Sequence, residues 1–171
     1  DTLQYRLGAV RAGGIAYFTK PINSTELIDQ LDLITASQVQ EPFRIMIVED
    51  SSISLTYYSV VLEQAEMHIK ALLDPMKLLE ALNNFNPDLI LMDLYLPGCN
   101  GIELAKVVRQ MDGFQNIPIV HLVNENDLNT QSDVINFRGG DFLIKPISPM
   151  QLVAAITSRV SRMRSLHALM I

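Results

Sequence analysis

From Phe43 onward, short apolar runs alternate with longer segments whose apolar residues recur every three or four positions. FRIMIV (43–48) is compact and rich in β-branched residues, which predicts a buried strand. SSISLTYYSVVLEQA (51–65) follows with helical spacing through Leu55, Val60 and Val61, and Ser51 or Ser52 stands where an N-cap belongs. HIKALL (68–73) reads as a second strand, and PMKLLEALNNF (75–85) as a helix entered by a proline. DLILM (88–92) is the third strand and GIELAKVVRQM (101–111) the helix after its turn. IPIVHLV (117–123), NDLNTQSDVINF (126–137) and DFLI (141–144) continue as strand, helix and strand, and a long helix runs from Ser148. Five strands interleaved with five helices predict an α/β fold, a doubly wound five-stranded parallel sheet covered on both faces.

In such sheets ligands gather beyond the carboxyl ends of the strands. Asp93 ends one apolar run there, Glu49 and Asp50 follow FRIMIV, and Lys145 ends DFLI just before Pro146. An Asp after a strand is most often a turn cap, and a Lys before a Pro most often lies on the surface. Four such residues at strand ends of one alternation instead converge on one rim. Three carboxylates packed together raise one another's pKa unless a cation neutralises them. Mg²⁺, which prefers carboxylate, carbonyl and water oxygens, suits that rim. Lys145 adds a fixed positive charge. An ion and an ammonium together are what a phosphoryl group in transfer needs. Asp93 is then the nucleophile that becomes an acyl phosphate.

Composition narrows the setting. A chain of 171 residues, 49% hydrophobic, supports one sizeable domain with a fragment of another. No apolar run approaches the roughly 20 residues that span a bilayer, so no membrane partner is expected. The single cysteine, Cys99, excludes an internal disulfide, suits the cytoplasm and is given no redox role. A net charge of −6 argues against a nucleic-acid surface. The basic cluster Arg159, Arg162 and Arg164 is expected to be a solvated helix face. The chain opens mid-pattern at Asp1, as a piece of a longer protein would.

IVED (47–50), LILMDLYLPGCNG (89–101), the Pro118 strand and GGDFLIKPI (139–147) resemble, in order and spacing, the receiver domain of two-component response regulators. The resemblance implies a flavodoxin-like receiver fold and a phosphoryl group passed to Asp93 from a histidine kinase or phosphotransfer protein. It implies a Mg²⁺ site at Glu49, Asp50, Asp93 and Tyr95, with the ion held directly by Asp50, mostly through water by Glu49, and by the Tyr95 carbonyl. Lys145 would pair with the phosphoryl group, and Phe142 falls on the family's aromatic switch position. No further enzyme activity is implied beyond self-catalysed phosphorylation and dephosphorylation of the aspartate. One departure stands out. The family ends its fourth strand on a Thr or Ser whose hydroxyl follows the phosphoryl oxygen; counting from Asp93 and from Lys145 puts Val123 there, beside Asn124. A hydrogen bond to a charged group contributes about 1.5–3 kcal/mol, comparable to a typical allosteric coupling of about 1–3 kcal/mol. Losing it would remove most of the switch. The competing expectation is therefore a receiver-fold binding or dimerisation module that switches without phosphorylation. A haloacid dehalogenase-type phosphohydrolase would want Asp where Tyr95 stands, and a flavodoxin would set Glu49 and Asp50 against a flavin phosphate.

RAGGIAYFTKPINSTELIDQL (11–31) repeats NFRGGDFLIKPISPMQLVAAI (136–156), with Lys20 on Lys145 and Pro21 on Pro146. Residues 1–36 are accordingly expected to be the C-terminal fragment of an upstream receiver, 37–42 a linker, 43–162 a complete receiver, and 163–171 the start of a signalling helix. Val153, Ile156, Val160, Met163, His167 and Met170 form a stripe by threes and fours, core through about Val160 and interface beyond. The helix would lead to a C-terminal output domain, the tandem arrangement resembling regulators that carry a diguanylate cyclase, and a homodimer is among the expected partners. The fragment cannot bury Ile15, Tyr17, Phe18, Ile22, Leu27, Ile28, Leu31 and Ile34 by itself. Each is worth about 1.5–3 kcal/mol when buried. Deleting residues 1–36 should therefore change the oligomeric state or the stability; an unchanged mass by light scattering with an unchanged melting temperature would show the fragment to be a passenger.

Overall fold

Strands buried on both faces need continuous apolar side chains, which the three central strands of this chain's five supply and the two edge strands supply only in part. In the computed structural model, which describes residues 3–14, 20, 24, 27–28, 41–126 and 141–169, the five are β1 (Arg44–Val48), β2 (His68–Leu72), β3 (Leu89–Asp93), β6 (Ile119–Asn124) and β7 (Asp141–Lys145). They form one parallel sheet in the order β2-β1-β3-β6-β7. This is the flavodoxin-like order, in which the chain winds first to one side of β1 and then to the other. The crevice at that reversal lies between the carboxyl ends of β1 and β3.

Helices α2 (Ser52–Gln64), α3 (Leu78–Phe85), α4 (Gly101–Val108) and α5 (Pro149–Leu169) flank the sheet. Leu55, Leu62, Leu152, Ile156 and Val160 from α2 and α5 cover Ile45, Ile47, Leu91 and Leu122. Leu78, Leu82 and Val108 from α3 and α4 cover Met46, Val48, Ile90 and Met92 on the other face. The alternation along β1 and β3 thus sorts neighbouring residues to opposite layers. Ser51 caps α2 by accepting from the Ser54 amide at 3.4 Å. The proline-entered segment starts as a 3₁₀ turn, Pro75–Lys77, capped by Asp74. A two-stranded hairpin of β4 (Tyr95–Leu96) and β5 (Cys99–Asn100), which the hydrophobic pattern did not predict, closes around Pro97 and Gly98. Gly98 has φ +77°, the left-handed value that the second central position of a type II turn requires.

Chain 1–41 and chain 42–171 are separate compact units. In the first, helix α1 (Leu3–Arg11) ends at Gly13, whose φ is +81°. Most of the upstream-receiver fragment beyond Gly14, residues 37–40 of the expected linker, and the helix expected at 126–137 beyond Asn126 lie outside the described residues. Among those described, no helix is long and apolar enough to cross a membrane.

One expectation is corrected on α5. Arg164 does not belong to a solvated face: its Nη2 donates to Asp88 Oδ2 at 2.7 Å, and its guanidinium stands 4.8 Å from the Phe43 ring centre. A planar cation that stacks and pairs at once is better satisfied against the domain than in water. The contacts of α5 with the sheet layer therefore reach Arg164, and its fully buried positions are Leu152, Ile156 and Val160, with Val153 at the margin.

Candidate functional site

The third strand does not stop before its acid. Asp93 is the last residue of β3, with its Cα opposite Leu122, and the Leu94 amide still bonds to the Leu122 carbonyl at 3.0 Å. Glu49 immediately follows β1, and its amide donates to the Leu72 carbonyl at 3.1 Å. Ladder pairing at both ends fixes where the two carboxylates emerge. Glu49 is 1% exposed and Asp93 6%, while Asp50 is open to solvent. One oxygen of each of Glu49, Asp50 and Asp93 lies within 4.8 Å of the others.

Lys145, the last residue of β7, reaches into this group. Its Nζ donates to Asp93 Oδ2 at 2.6 Å and to Glu49 Oε2 at 3.1 Å. The other oxygen of each acid is met by main chain, Glu49 Oε1 by the Ser51 amide at 3.1 Å and Asp93 Oδ1 by the Tyr95 amide at 3.3 Å. Burial raises the Glu49 pKa above the ordinary value and the charge of Asp93 adds to it; the Ser51 amide and Lys145 offset only part. Burial alone would lower the Lys145 pKa, but its hydrogen bonds to Asp93 and Glu49 and their charges outweigh that and raise it. The ammonium is therefore held charged. The Lys145–Pro146 peptide is cis, and the Tyr57 hydroxyl donates to the Ile147 carbonyl at 2.9 Å, tying α2 to the loop behind the lysine.

Glu49, Asp50, Asp93 and Lys145 thus meet as the strand-end argument expected. Tyr95 stands two residues past Asp93, its ring half exposed and its amide on the carboxylate. Val123 is fully buried, while Phe142 remains 37% exposed on the neighbouring strand. Their register is close: Val123 lies opposite Ile144, and His121 opposite Phe142. Two supporting residues were missed in the sequence. Asn100 and Glu103 form a capping box, with Asn100 Oδ1 accepting from the Glu103 amide at 2.8 Å and Glu103 Oε2 from the Asn100 amide at 3.0 Å. The Asn-x-x-Glu spacing was the available signal. Gly101, read only as the opening of a helix, is buried against the site.

A cluster of buried and rim carboxylates around one ammonium, at the carboxyl ends of a parallel sheet, defines a class of site before it defines a family. The model of the response regulator receiver domain matches residues 45–157, and the chain belongs to that family. It is 35% identical over 167 residues to an uncharacterized 76.5 kDa protein of Thiocystis violacea, covering 98% of this chain and 24% of that one. It is 27% identical to Protein RcaC of Microchaete diplosiphon, covering 94% and 24%. With the DNA-binding response regulator MtrA of Mycobacterium tuberculosis it shares 34% identity over 121 residues, 70% of this chain and 51% of MtrA. The chain therefore spans about a quarter of the first two relatives and about half of the third. The chemotaxis response regulator CheY4 of Vibrio cholerae has the same fold, with a TM-score of 0.62 at 22% identity over 70% of this chain and 99% of that one. So does a response regulator receiver domain protein of Clostridium thermocellum, at 0.64 and 18% over 72% and 98%.

The close approach at Gly101 generates a test. Its amide donates to the Leu94 carbonyl at 2.7 Å, and a Cβ there would lie 2.6 Å from the Asp93 carbonyl oxygen and 2.9 Å from His121 Cδ2. The first of these is backbone and cannot swing aside. Gly101→Ala should lower unfolding free energy by about 1–3 kcal/mol, the usual cost of overpacking, and displace the end of β3. An unchanged urea midpoint together with unchanged divalent-ion affinity would show that helix α4 need not sit this close.

Proposed function

We propose that this receiver domain is a phosphoacceptor: Asp93 takes a phosphoryl group from a phosphohistidine of a histidine kinase or phosphotransfer protein and regulates an attached output domain. The observation that carries the reading is the pairing of Lys145 Nζ with Asp93 Oδ2 at 2.6 Å inside a group of three carboxylates. A carboxylate oxygen of Asp93 attacks phosphorus; the P–N bond breaks and its electron pair returns to the donor imidazole. In the later hydrolysis, water attacks phosphorus, the bond between phosphorus and the Asp93 oxygen breaks, the carboxylate is regenerated and inorganic phosphate leaves. Lys145, held charged, follows the negative charge from the carboxylate to the phosphoryl oxygens.

The donor set suits a hard divalent ion: oxygen ligands only, two of the three carboxylates buried, and one cation already compensating part of their charge. Asp50, Asp93, Glu49 and the Tyr95 carbonyl would hold Mg²⁺. When bound, the ion supplies positive charge against the transferring phosphoryl oxygens. The domain's own chemistry is then confined to forming and losing its acyl phosphate, in a cytoplasmic setting. The extra length of the relatives supports an output domain in the whole protein, and MtrA is described as DNA-binding.

A second reading has one observation in its favour. Val123, fully buried and without a donor, stands where the family's hydroxyl would be, which supports a binding or dimerisation module whose output does not depend on phosphorylation.

Two experiments separate these readings. With Mg²⁺ and a small-molecule phosphodonor, intact mass should show one added phosphoryl group, lost in Asp93→Asn; Asp50→Asn should abolish both Mg²⁺ binding and labelling. No Mg²⁺ affinity at millimolar concentration in the wild type would overturn the phosphoacceptor reading. Val123→Thr should then enlarge the chemical-shift response around Phe142 to the beryllium fluoride mimic. Shifts already as large in the wild type would show that the hydroxyl is dispensable for the switch.

A further inference from the structure

Asp93, Asn124 and Lys145 are the final residues of β3, β6 and β7. Asp93 lies opposite Leu122, and Asn124 opposite Lys145. Side chains alternate between faces along a strand. Leu91 and Leu122 belong to the apolar cluster beneath α2 and α5, and Leu143 packs against it. Two residues on, positions 93, 124 and 145 share that side of the sheet, as does Glu49 two residues after Ile47. Val123 has the opposite parity, in common with His121, Phe142 and Ile144.

The register also sets a height. Asn124 and Lys145 stand two residues beyond the level of Leu122 and Asp93, about 6–7 Å at strand rise. A phosphoryl group on the Asp93 carboxylate is carried outward, toward that level. Its three oxygens are strong acceptors, and Lys145 meets only part of their demand. Val123 offers no donor. Asn124, exposed at the rim on the next strand to Asp93, carries two donors on one carboxamide nitrogen.

We propose that Asn124 donates, through Nδ2–H, the hydrogen bond to the phosphoryl group on Asp93 that Val123 cannot make. The inference rests on the phosphoacceptor reading and adds a binding residue to it. It also divides two functions that one hydroxyl would combine. Asn124 holds the phosphoryl group on the face of Asp93 and Lys145, and leaves Val123 and Phe142, on the other parity, little engaged.

The test is a ¹⁹F NMR titration of the full chain with beryllium fluoride at saturating Mg²⁺, alongside a Mg²⁺ titration without fluoride. Asn124→Ala should weaken beryllium fluoride binding by about tenfold or more, the equivalent of losing about 1.5 kcal/mol for a hydrogen bond to a charged group. Asn124→Ser, which keeps a donor, should lie nearer the wild type. Asn124→Asp, of the same shape but with acceptors and a charge, should bind more weakly than Asn124→Ala. Equal affinity of wild type and Asn124→Ala overturns the inference and leaves the phosphoacceptor reading standing. An equal loss of Mg²⁺ affinity in Asn124→Ala also overturns it, because the residue would then act through the ion. A wild type that takes up no beryllium fluoride overturns both.

Discussion

The ammonium of Lys145 between Asp93 and Glu49 is the interaction on which the rest of the site depends. Removing two carboxylates from water is costly, and each would move toward its neutral form without a cation beside it. One lysine compensates both, at 2.6 and 3.1 Å. It can do so because β7 runs two residues past the level of Asp93, and β7 is placed by its pairing to β6 and by the loop that Tyr57 holds. Breaking a buried pair typically costs about 3–5 kcal/mol; here Lys145 keeps 17% exposure, so solvent screens part of that. Burial above all, with the charge of Asp93 added, still raises the pKa of Glu49, so the lysine and the Ser51 amide offset only part of the cost of burying that carboxylate.

Much of this was legible in the sequence because parallel strands are buried twice over and leave unambiguous apolar runs. The acids after β1 and β3 and the lysine ending β7 could be placed at one rim from alternation alone. What could not be read was length to the residue. Asp93 proved to be inside its strand, because the ladder continues through the Leu94 amide, and nothing in LILMD announces where pairing stops. The β4–β5 hairpin was missed for a related reason: two-residue strands have no periodicity to detect, and only Pro97-Gly98 marks them. Arg164 illustrates the third limit. A cation on a helix looks solvated in sequence, whereas its partners Asp88 and Phe43 are 76 and 121 positions away and only the fold brings them together.

Gly101 shows how such long-range geometry bears on chemistry. Helix α4 begins against the end of β3, so close that the helix's first residue can carry no side chain without meeting the Asp93 carbonyl. The capping box between Asn100 and Glu103 supplies the complementary constraint, satisfying the first free amides of the helix and fixing where it starts. Together they hold the β3–α4 connection rigidly behind Asp93.

The two faces of the sheet then carry different tasks. Glu49, Asp93, Asn124 and Lys145 share one parity and form a rim of charge and hydrogen-bonding groups. Val123, Phe142 and Ile144 share the other, with Val123 sealed in the core and the two side chains on β7 partly exposed. The γ-carbons of Val123 have no hydrogen-bonding partner to gain at the rim, and leaving the core would forfeit buried apolar surface at about 25 cal/mol per Å². Lys145 and the loop to Ile147, to which Tyr57 of α2 is bonded and from which α5 departs, join the Asp93 face to the longest helix among the described residues, whose contacts with the sheet layer reach Arg164.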